Sequence, residues 1–165
     1  MEDEYILSEL VDLTDLVRNS LNSKIKVNKP NEIYFSEFFL ILIFPQFLAF
    51  DVSQSYLIFG ANSSSLYIFK RNPYQFERII PSQKFSSIDK ICISHNESIV
   101  AFSSKSGKIG FLDLENNAQQ TVQIQHESTV SSMYWNPENK QLYVGDVNGN
   151  VSVCNISYFM VRILN

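Results

Sequence analysis

Residues 130–155 read VSSMYWNPENKQLYVGDVNGNVSVCN, and two tight turns divide them into three short strands. Val130 to Trp135 is rich in β-forming residues, and Asn136-Pro137-Glu138-Asn139 is built of residues that favour turns. Gln141 to Val144 predicts the next strand. Asn148-Gly149 then supplies the positive-φ positions expected of a type I′ hairpin. Beyond it, Val151 and Val153 flank Ser152 in the alternation of a half-buried strand.

The same arrangement occurs twice upstream. The segments Phe50-Asp51 to Phe69-Lys70, Ile93-Ser94 to Leu112-Asp113 and Trp135-Asn136 to Cys154-Asn155 align at intervals of 43 and 42 residues. Asp51, Ser94 and Asn136 fall in step, as do Gly60, Ser103 and Gly145, and Leu66, Ile109 and Val151. Ser63-Ser64-Ser65 and Ser106-Gly107 take the turn position of Asn148-Gly149. An outer strand is expected after each copy, over Phe76 to Ile80, Thr121 to Ile124 and Phe159 to Leu164. Four short strands repeating every ~40–45 residues are the signature of a propeller blade. The expected fold is therefore all-β, a partial WD-repeat-like β-propeller of about three four-stranded blades at 47–81, 82–125 and 126–165.

The repeats are degenerate. Leu112-Asp113 stands where the WD dipeptide belongs, with Phe69-Lys70 and Cys154-Asn155 as weaker equivalents, and His126 takes the place of the repeat's GH histidine. No Trp closes a third strand, and Asn148 occupies the place of the turn Asp, so the hydrogen-bonded tetrad of well-formed WD repeats is not expected. The structural repeat positions are Asp51, Gly60, Leu66, Ser94, Gly107, Ile109, Asp113, His126, Trp135, Gly145, Asp146, Gly149 and Val151.

Outside the repeats, Ile6, Leu7, Leu10, Val11, Thr14, Val17 and Leu21 follow helical spacing, with acids early and Arg18 late. This predicts an amphipathic helix over 3–22 that packs on its own domain or on a partner. Across the 165 residues, 13 Lys and Arg stand against 17 Asp and Glu, and hydrophobic residues make up 45%. Such a chain has apolar surface to bury and no basic excess to neutralise phosphates, which argues against nucleic acid as a partner. The acidic start Met1-Glu2-Asp3-Glu4 is unlike a signal peptide, so the sequons at Asn62, Asn96 and Asn155 read as chance matches. The apolar run Phe38 to Phe44 stops at Pro45, short of the ~20 residues of a membrane-spanning helix. Cys92 and Cys154 lie far apart with no CxxC, consistent with buried thiols and with neither a disulfide framework nor a zinc site.

Catalytic signals are missing. The chain contains no GxSxG, GxxxxGK[ST], HExxH or GxGxxG pattern. Gly107-Lys108-Ile109-Gly110 falls in a hairpin and strand and does not open a helix, so it is no phosphate loop. His95 reads as an exposed turn residue, His126 has no sequence-designated nucleophile or acid beside it, and Trp135 reads as packing. A non-enzymatic binding module without metal or cofactor is expected, with its function carried on loops set by rigid sheets.

Gln125-His126, Val130 to Trp135, Leu142-Tyr143-Val144-Gly145-Asp146 and Gly149-Asn150-Val151, with Ile99 to Ser103, Gly107, Ile109 and Glu9 to Leu13, resemble the Hermansky–Pudlak syndrome type five protein family. The resemblance covers roughly residues 5–26 and 47–156, and its most specific element is the V-G-D-x-x-G-x-V run at 144–151. It implies a subunit of the biogenesis-of-lysosome-related-organelles complex two, a cytosolic trafficking assembly serving pigment granules. The other subunits would be its partners, with peripheral contact to endosomal membranes and no transmembrane segment. The propeller of the tectonin-repeat autophagy protein shares much of the pattern and is the alternative. No catalytic residue comes with either.

Against the family pattern, Val27 to Gln46 are an insertion between the lead-in strand of 1–26 and Phe47. A polar start followed by Phe38 to Gln46 back-translates to a donor, a pyrimidine tract and an acceptor, the form of a retained intron. Val161-Arg162 back-translates to a second donor-like string. A genuine hydrophobic loop or strand is the other reading. Three blades fall short of the four or more of a propeller, so the repeats are expected to be the front part of a larger domain.

Overall fold

A computed structural model describes residues 45–82, 84–115 and 124–156. All the described residues lie in one compact unit. The expected helix over 3–22, the insertion apart from Pro45 and Gln46, and the expected strand Phe159 to Leu164 fall outside the described residues.

Among the described residues, eleven strands form three antiparallel sheets. The first contains β1 (Phe47–Val52), β2 (Tyr56–Ala61), β3 (Ser65–Arg71) and β4 (Tyr74–Pro81), in that order. The second contains β5 (Lys90–Ile93), β6 (Ile99–Ser103), β7 (Lys108–Asp113) and the short β8 (Ile124–Gln125). The third contains β9 (Val130–Trp135), β10 (Gln141–Asp146) and β11 (Val151–Asn155). Each sheet is a meander, in which chain neighbours are also sheet neighbours. The first strands β1, β5 and β9 lie side by side, with β5 in the middle.

Period-2 alternation sends successive side chains of a strand to opposite faces, and the two apolar cores follow from it. Ile58, Leu66, Ile68 and Ile80 of the first sheet meet Phe85, Ile88, Val100, Phe102 and Leu112. On the other side of the second sheet, Ile99, Ala101, Ile109 and Phe111 meet Val130, Trp135, Leu142, Val144 and Cys154. Strand β6 therefore buries all five residues. That is why IVAFS is apolar throughout, with no polar face. Burying each large side chain of this kind contributes about 1.5–3 kcal/mol.

The turns carry the period in the backbone. Ser64 (φ 61), Gly107 (φ 78) and Gly149 (φ 86) take the left-handed conformation at successive repeats, and Glu97 (φ 59) and Asn139 (φ 58) do so in the other turn. The hairpin after β10 is not the type I′ turn expected from Asn148-Gly149. Gly149 N donates to Asp146 O at 3.2 Å and Asp146 N to Asn150 O at 3.0 Å. Asn148 has no positive φ. This is a three-residue loop closed by one left-handed residue. The turn after β6 repeats it, with Gly107 N to Ser104 O at 3.1 Å and Ser104 N to Lys108 O at 3.0 Å.

Candidate functional site

Two sets of bonds recur at both junctions between the sheets, and the second of them joins one sheet to the next. In one, the residue leaving the last strand of a sheet donates its N–H to the left-handed turn residue of that same sheet, extending the β3–β4 and β7–β8 ladders by one rung. Ser82 N reaches Ser64 O at 2.7 Å, and His126 N reaches Gly107 O at 2.8 Å. In the other, a left-handed polar residue accepts a backbone N–H from the turn of the preceding sheet. Glu97 Oε1 accepts from Ser55 N at 2.7 Å, and Asn139 Oδ1 accepts from His95 N at 2.6 Å. Burial works against the Glu97 charge, but hydrogen bonds from the Ser55 and Ser53 side chains and the Ser55 and Gln54 backbone outweigh it and hold the carboxyl below its usual range. Neither Glu97 nor Asn139 stands out in the sequence. Their common signal is a polar turn residue at the repeat interval.

Side chains reinforce the inner strands. Asp51 Oδ2 accepts from Ile93 N at 2.7 Å, joining β1 to β5. Trp135, buried at the end of β9, donates from Nε1 to Cys92 O at 2.9 Å and sets its ring edge against Phe111. His95 is exposed, yet its Nε2 lies 3.1 Å from Trp135 O and its ring meets Tyr134 edge-on. The thiols are packed as well. Burial, helped by the Asp51 charge, pushes Cys92 up to about 11, and burial alone raises Cys154.

At the foot of the third sheet a polar network forms from Asp146, Ser128, His126 and Ser152, without the Trp of a complete WD-repeat tetrad. The turn acid is Asp146, two residues before Asn148. Its Oδ2 accepts from Ser128 Oγ at 2.6 Å and Asn150 Nδ2 at 3.1 Å. Its Oδ1 accepts from Asn148 N at 2.9 Å and Asn150 N at 2.8 Å. The Ser128 bond is the largest influence, opposed by burial and reinforced by the Asn150 and Asn148 bonds, and together they hold Asp146 down to about 2. His126 Nδ1 stands 3.7 Å from Asp146 Oδ2, and His126 Nε2 lies 2.9 Å from Ser152 Oγ. A serine, a histidine and an aspartate thus come together, but the carboxylate already accepts three bonds from its own loop and a fourth from Ser128. That arrangement braces a turn and leaves the acid little capacity to orient an imidazole for proton transfer.

The remaining repeat positions do not converge. Leu66 and Ile109 are buried in different cores. A Cβ on Gly60 would run into Ile88, and one on Gly107 would lie 2.5 Å from Ser128 O and 2.6 Å from His126 O. Ser94 Oγ accepts from Ile99 N at 2.9 Å, and Asn136 Oδ1 does the same turn-closing work for Gln141 N at 2.9 Å. Asp51, in step with both, instead bridges two sheets. Asp113 Oδ1 accepts from Glu115 N at 2.8 Å, Gly145 approaches Ser132, and Gly149 has open space around it. Val151 lies on the face of the third sheet turned away from the second.

That face is the candidate interaction surface. Tyr143 is paired across the sheet with Tyr134 on β9 and with Val153 on β11, and Gly145 is paired with Val151. All four apolar side chains are exposed. The charged side chains of strands β9 to β11 and their turns are the buried Asp146 and the rim pair Lys140–Glu138, 3.2 Å apart. Among the described residues no group of three or more His, Cys, Asp or Glu is placed to hold a metal ion. Nor, among them, is any helix long and apolar enough to cross a membrane.

No family model matches the chain. It is similar to the BLOC-2 complex member HPS5 homolog of Anopheles gambiae, 40% identical over 126 residues, or 73% of this chain and 15% of that protein. The Aedes aegypti homolog is 38% identical over 140 residues, covering 73% of this chain and 16% of its own length. The Drosophila melanogaster homolog is 32% identical over 165 residues, covering 97% and 18% respectively. The chain thus spans between 15% and 18% of the length of these relatives. Among solved structures it resembles the RRP9 WD40 repeats, with TM-score 0.61 and 19% identity over 69% of this chain and 36% of that one. U3-55K matches with TM-score 0.61 and 18% identity over 69% and 37%. At such identities the likeness shows the fold alone, a WD40-type β-propeller architecture.

Proposed function

The chain belongs to the HPS5 family of BLOC-2 complex members, and from that membership we propose that it is a non-enzymatic scaffold within such a complex. Its work is to present surfaces to the other subunits of an assembly that serves the biogenesis and trafficking of lysosome-related organelles such as pigment granules. It acts from the cytosol, at most peripherally on endosomal membranes. The observation that carries this reading is the 40% identity to a BLOC-2 member across 73% of the chain. The structure supports it in kind: its polar clusters are consumed in holding turns and sheets together, which suits a rigid binding module.

Affinity purification of the tagged gene product from its own cells, followed by mass spectrometry, tests the proposal. Recovery of the other BLOC-2 subunits in stoichiometric amounts is expected. Recovery of autophagy factors in their place would support the tectonin-type alternative and overturn the assignment.

A further inference from the structure

The charges of the second sheet are segregated to its two ends. Lys90 opens β5, Lys108 opens β7, Lys105 lies in the turn between β6 and β7, and Lys84 precedes β5. Lys90 is paired with Ser103, the last residue of β6, and Lys108 Nζ donates to Lys84 O at 3.2 Å, so these lysines share one end. Glu97, Asp113 and Glu115 stand at the other end. Lys84, Lys90 and Lys105 are exposed and Lys108 is half-buried. Among the described residues none of these lysines has a carboxylate partner, whereas Arg78 meets Glu77 and Lys140 meets Glu138. The acids at the lysine end are Asp89, which accepts from Ser87 Oγ at 2.8 Å, the exposed Glu127, and the buried Asp146, already taken up by its own network. The matching turns of the first and third sheets, residues 62–64 and 147–150, contain no charged residue. The basic end runs directly into an apolar one. Lys105 O accepts from Thr129 Oγ1 at 2.7 Å, and Thr129 O accepts from Val147 N at 3.0 Å. Val147, 63% exposed, is thereby set beside the lysines across the junction of the second and third sheets.

We propose that this end, from Lys84 and Lys108 through Lys105 to Val147, docks a short acidic segment of a partner protein, with carboxylates on the lysines and an apolar side chain on Val147. Lysines without partners attract carboxylates and steer their approach. No arginine lies at this end, so the rigid fork that favours phosphate is missing, while ammonium point charges accept carboxylates in many orientations. An anionic bilayer fits less well, because Asp89 and Glu127 would oppose it and one valine is no apolar stripe to insert. Nucleic acid fits less well again for a chain of net charge −4. Each exposed ion pair contributes little, so the contact is a weak and salt-sensitive one that needs several pairs and the apolar anchor together. The inference does not depend on which assembly the chain joins.

The test is fluorescence anisotropy of a fluorescein-labelled peptide of alternating Glu and Ser with one central Leu, titrated with the full-length protein. Binding is expected, and it should weaken as salt is raised. The double variant Lys84→Glu/Lys105→Glu, whose ammonium groups hold nothing in the fold, should weaken it about tenfold. The double variant Lys70→Glu/Lys140→Glu makes the same change of net charge at the opposite ends of the first and third sheets and should leave affinity within about twofold. Val147→Ser should weaken binding of this peptide and leave that of a peptide with Ser in place of Leu unmoved. Equal losses in the two double variants would overturn the proposal by reducing the effect to net charge. So would equal binding of a peptide with Gln in place of Glu, or no binding at low salt. Capture of phosphatidylserine vesicles or of a single-stranded RNA oligonucleotide, with the acidic peptide failing to bind, would overturn it in favour of a different class of partner.

Discussion

Replacing Gly107 and Gly149 by alanine, one at a time, separates the cost of a backbone conformation from the cost of a sheet junction. Both glycines end the same loop with φ of 78° and 86°. An L-residue in this left-handed region costs roughly 1–2 kcal/mol. For Gly149→Ala that is the whole effect, because a methyl group there meets nothing within 4 Å. At Gly107 the methyl would lie 2.5 Å from Ser128 O and 2.6 Å from His126 O. To admit it, the 126–129 segment must back away. That motion pulls on His126 N–Gly107 O at 2.8 Å and Thr129 Oγ1–Lys105 O at 2.7 Å. At about 0.5–1.5 kcal/mol net for each bond, the junction adds about 1–3 kcal/mol. Urea unfolding followed by the fluorescence of Trp135, the chain's single tryptophan, reads the difference. With a denaturant slope of about 2 kcal/mol/M, Gly149→Ala lowers the midpoint by about 0.5–1 M and Gly107→Ala by about 1–2.5 M. Equal shifts would refute these bonds as an energetic contact and leave only the backbone term.

Three further outcomes follow from the same contacts. Because Asp146 is held down to about 2 in the folded chain, its stabilisation is complete above the ordinary value of 3.8 and is lost as pH falls from there toward 2. Asp146→Asn should therefore flatten the acid limb of a urea-midpoint-versus-pH plot in that window, and an unchanged limb would count against the network. Trp135→Phe removes the donor to Cys92 O and opens space in the second core, costing about 2–4 kcal/mol by urea unfolding followed by circular dichroism; a cost below about 1 kcal/mol would mean that the indole N–H contributes nothing. With Cys92 pushed up to about 11, its thiolate population near neutral pH is about a hundredfold below that of an ordinary thiol. Reaction with a disulfide reagent should be slow in the folded chain and fast in urea, and equal rates would show that the thiol is not packed.

Much of this fold is legible in the sequence because the repeat interval governs both backbone and burial. A hairpin loop that needs one left-handed residue calls for Gly or a small polar residue at a fixed place, and Ser64, Gly107 and Gly149 mark it. Leu66, Ile109 and Val151 mark the strand that follows. What escapes is the work each aligned residue does. Asp51, Ser94 and Asn136 share a position, yet two close their own turns and one ties β1 to β5. Asn-Gly signals a two-residue turn so strongly that it draws attention to Asn148, whereas the three-residue loop actually formed places the acceptor at Asp146. Glu97 is harder still to foresee, because glutamate is not a residue that favours a left-handed turn. It is held there by hydrogen bonds from a neighbouring sheet that local pattern cannot reveal.

The exposure of the third sheet is a different kind of fact. Val151 and Val153 are as apolar as Ile109 and Phe111, so no local property of the strand tells a covered face from an open one. In a stack of like units each sheet buries one face against its predecessor and one against its successor, and stability is a sum over those junctions. The second sheet, with both junctions present, buries all of β6. The third, with one junction among the described residues, leaves the side chains at the matching positions exposed. Solvated apolar side chains at the same register positions that pack elsewhere gain nothing for the strand by itself, at roughly 25 cal/mol for each Å² left uncovered. Among the described residues, apolar side chains at positions that pack between sheets in the first two repeats therefore stay exposed in the third.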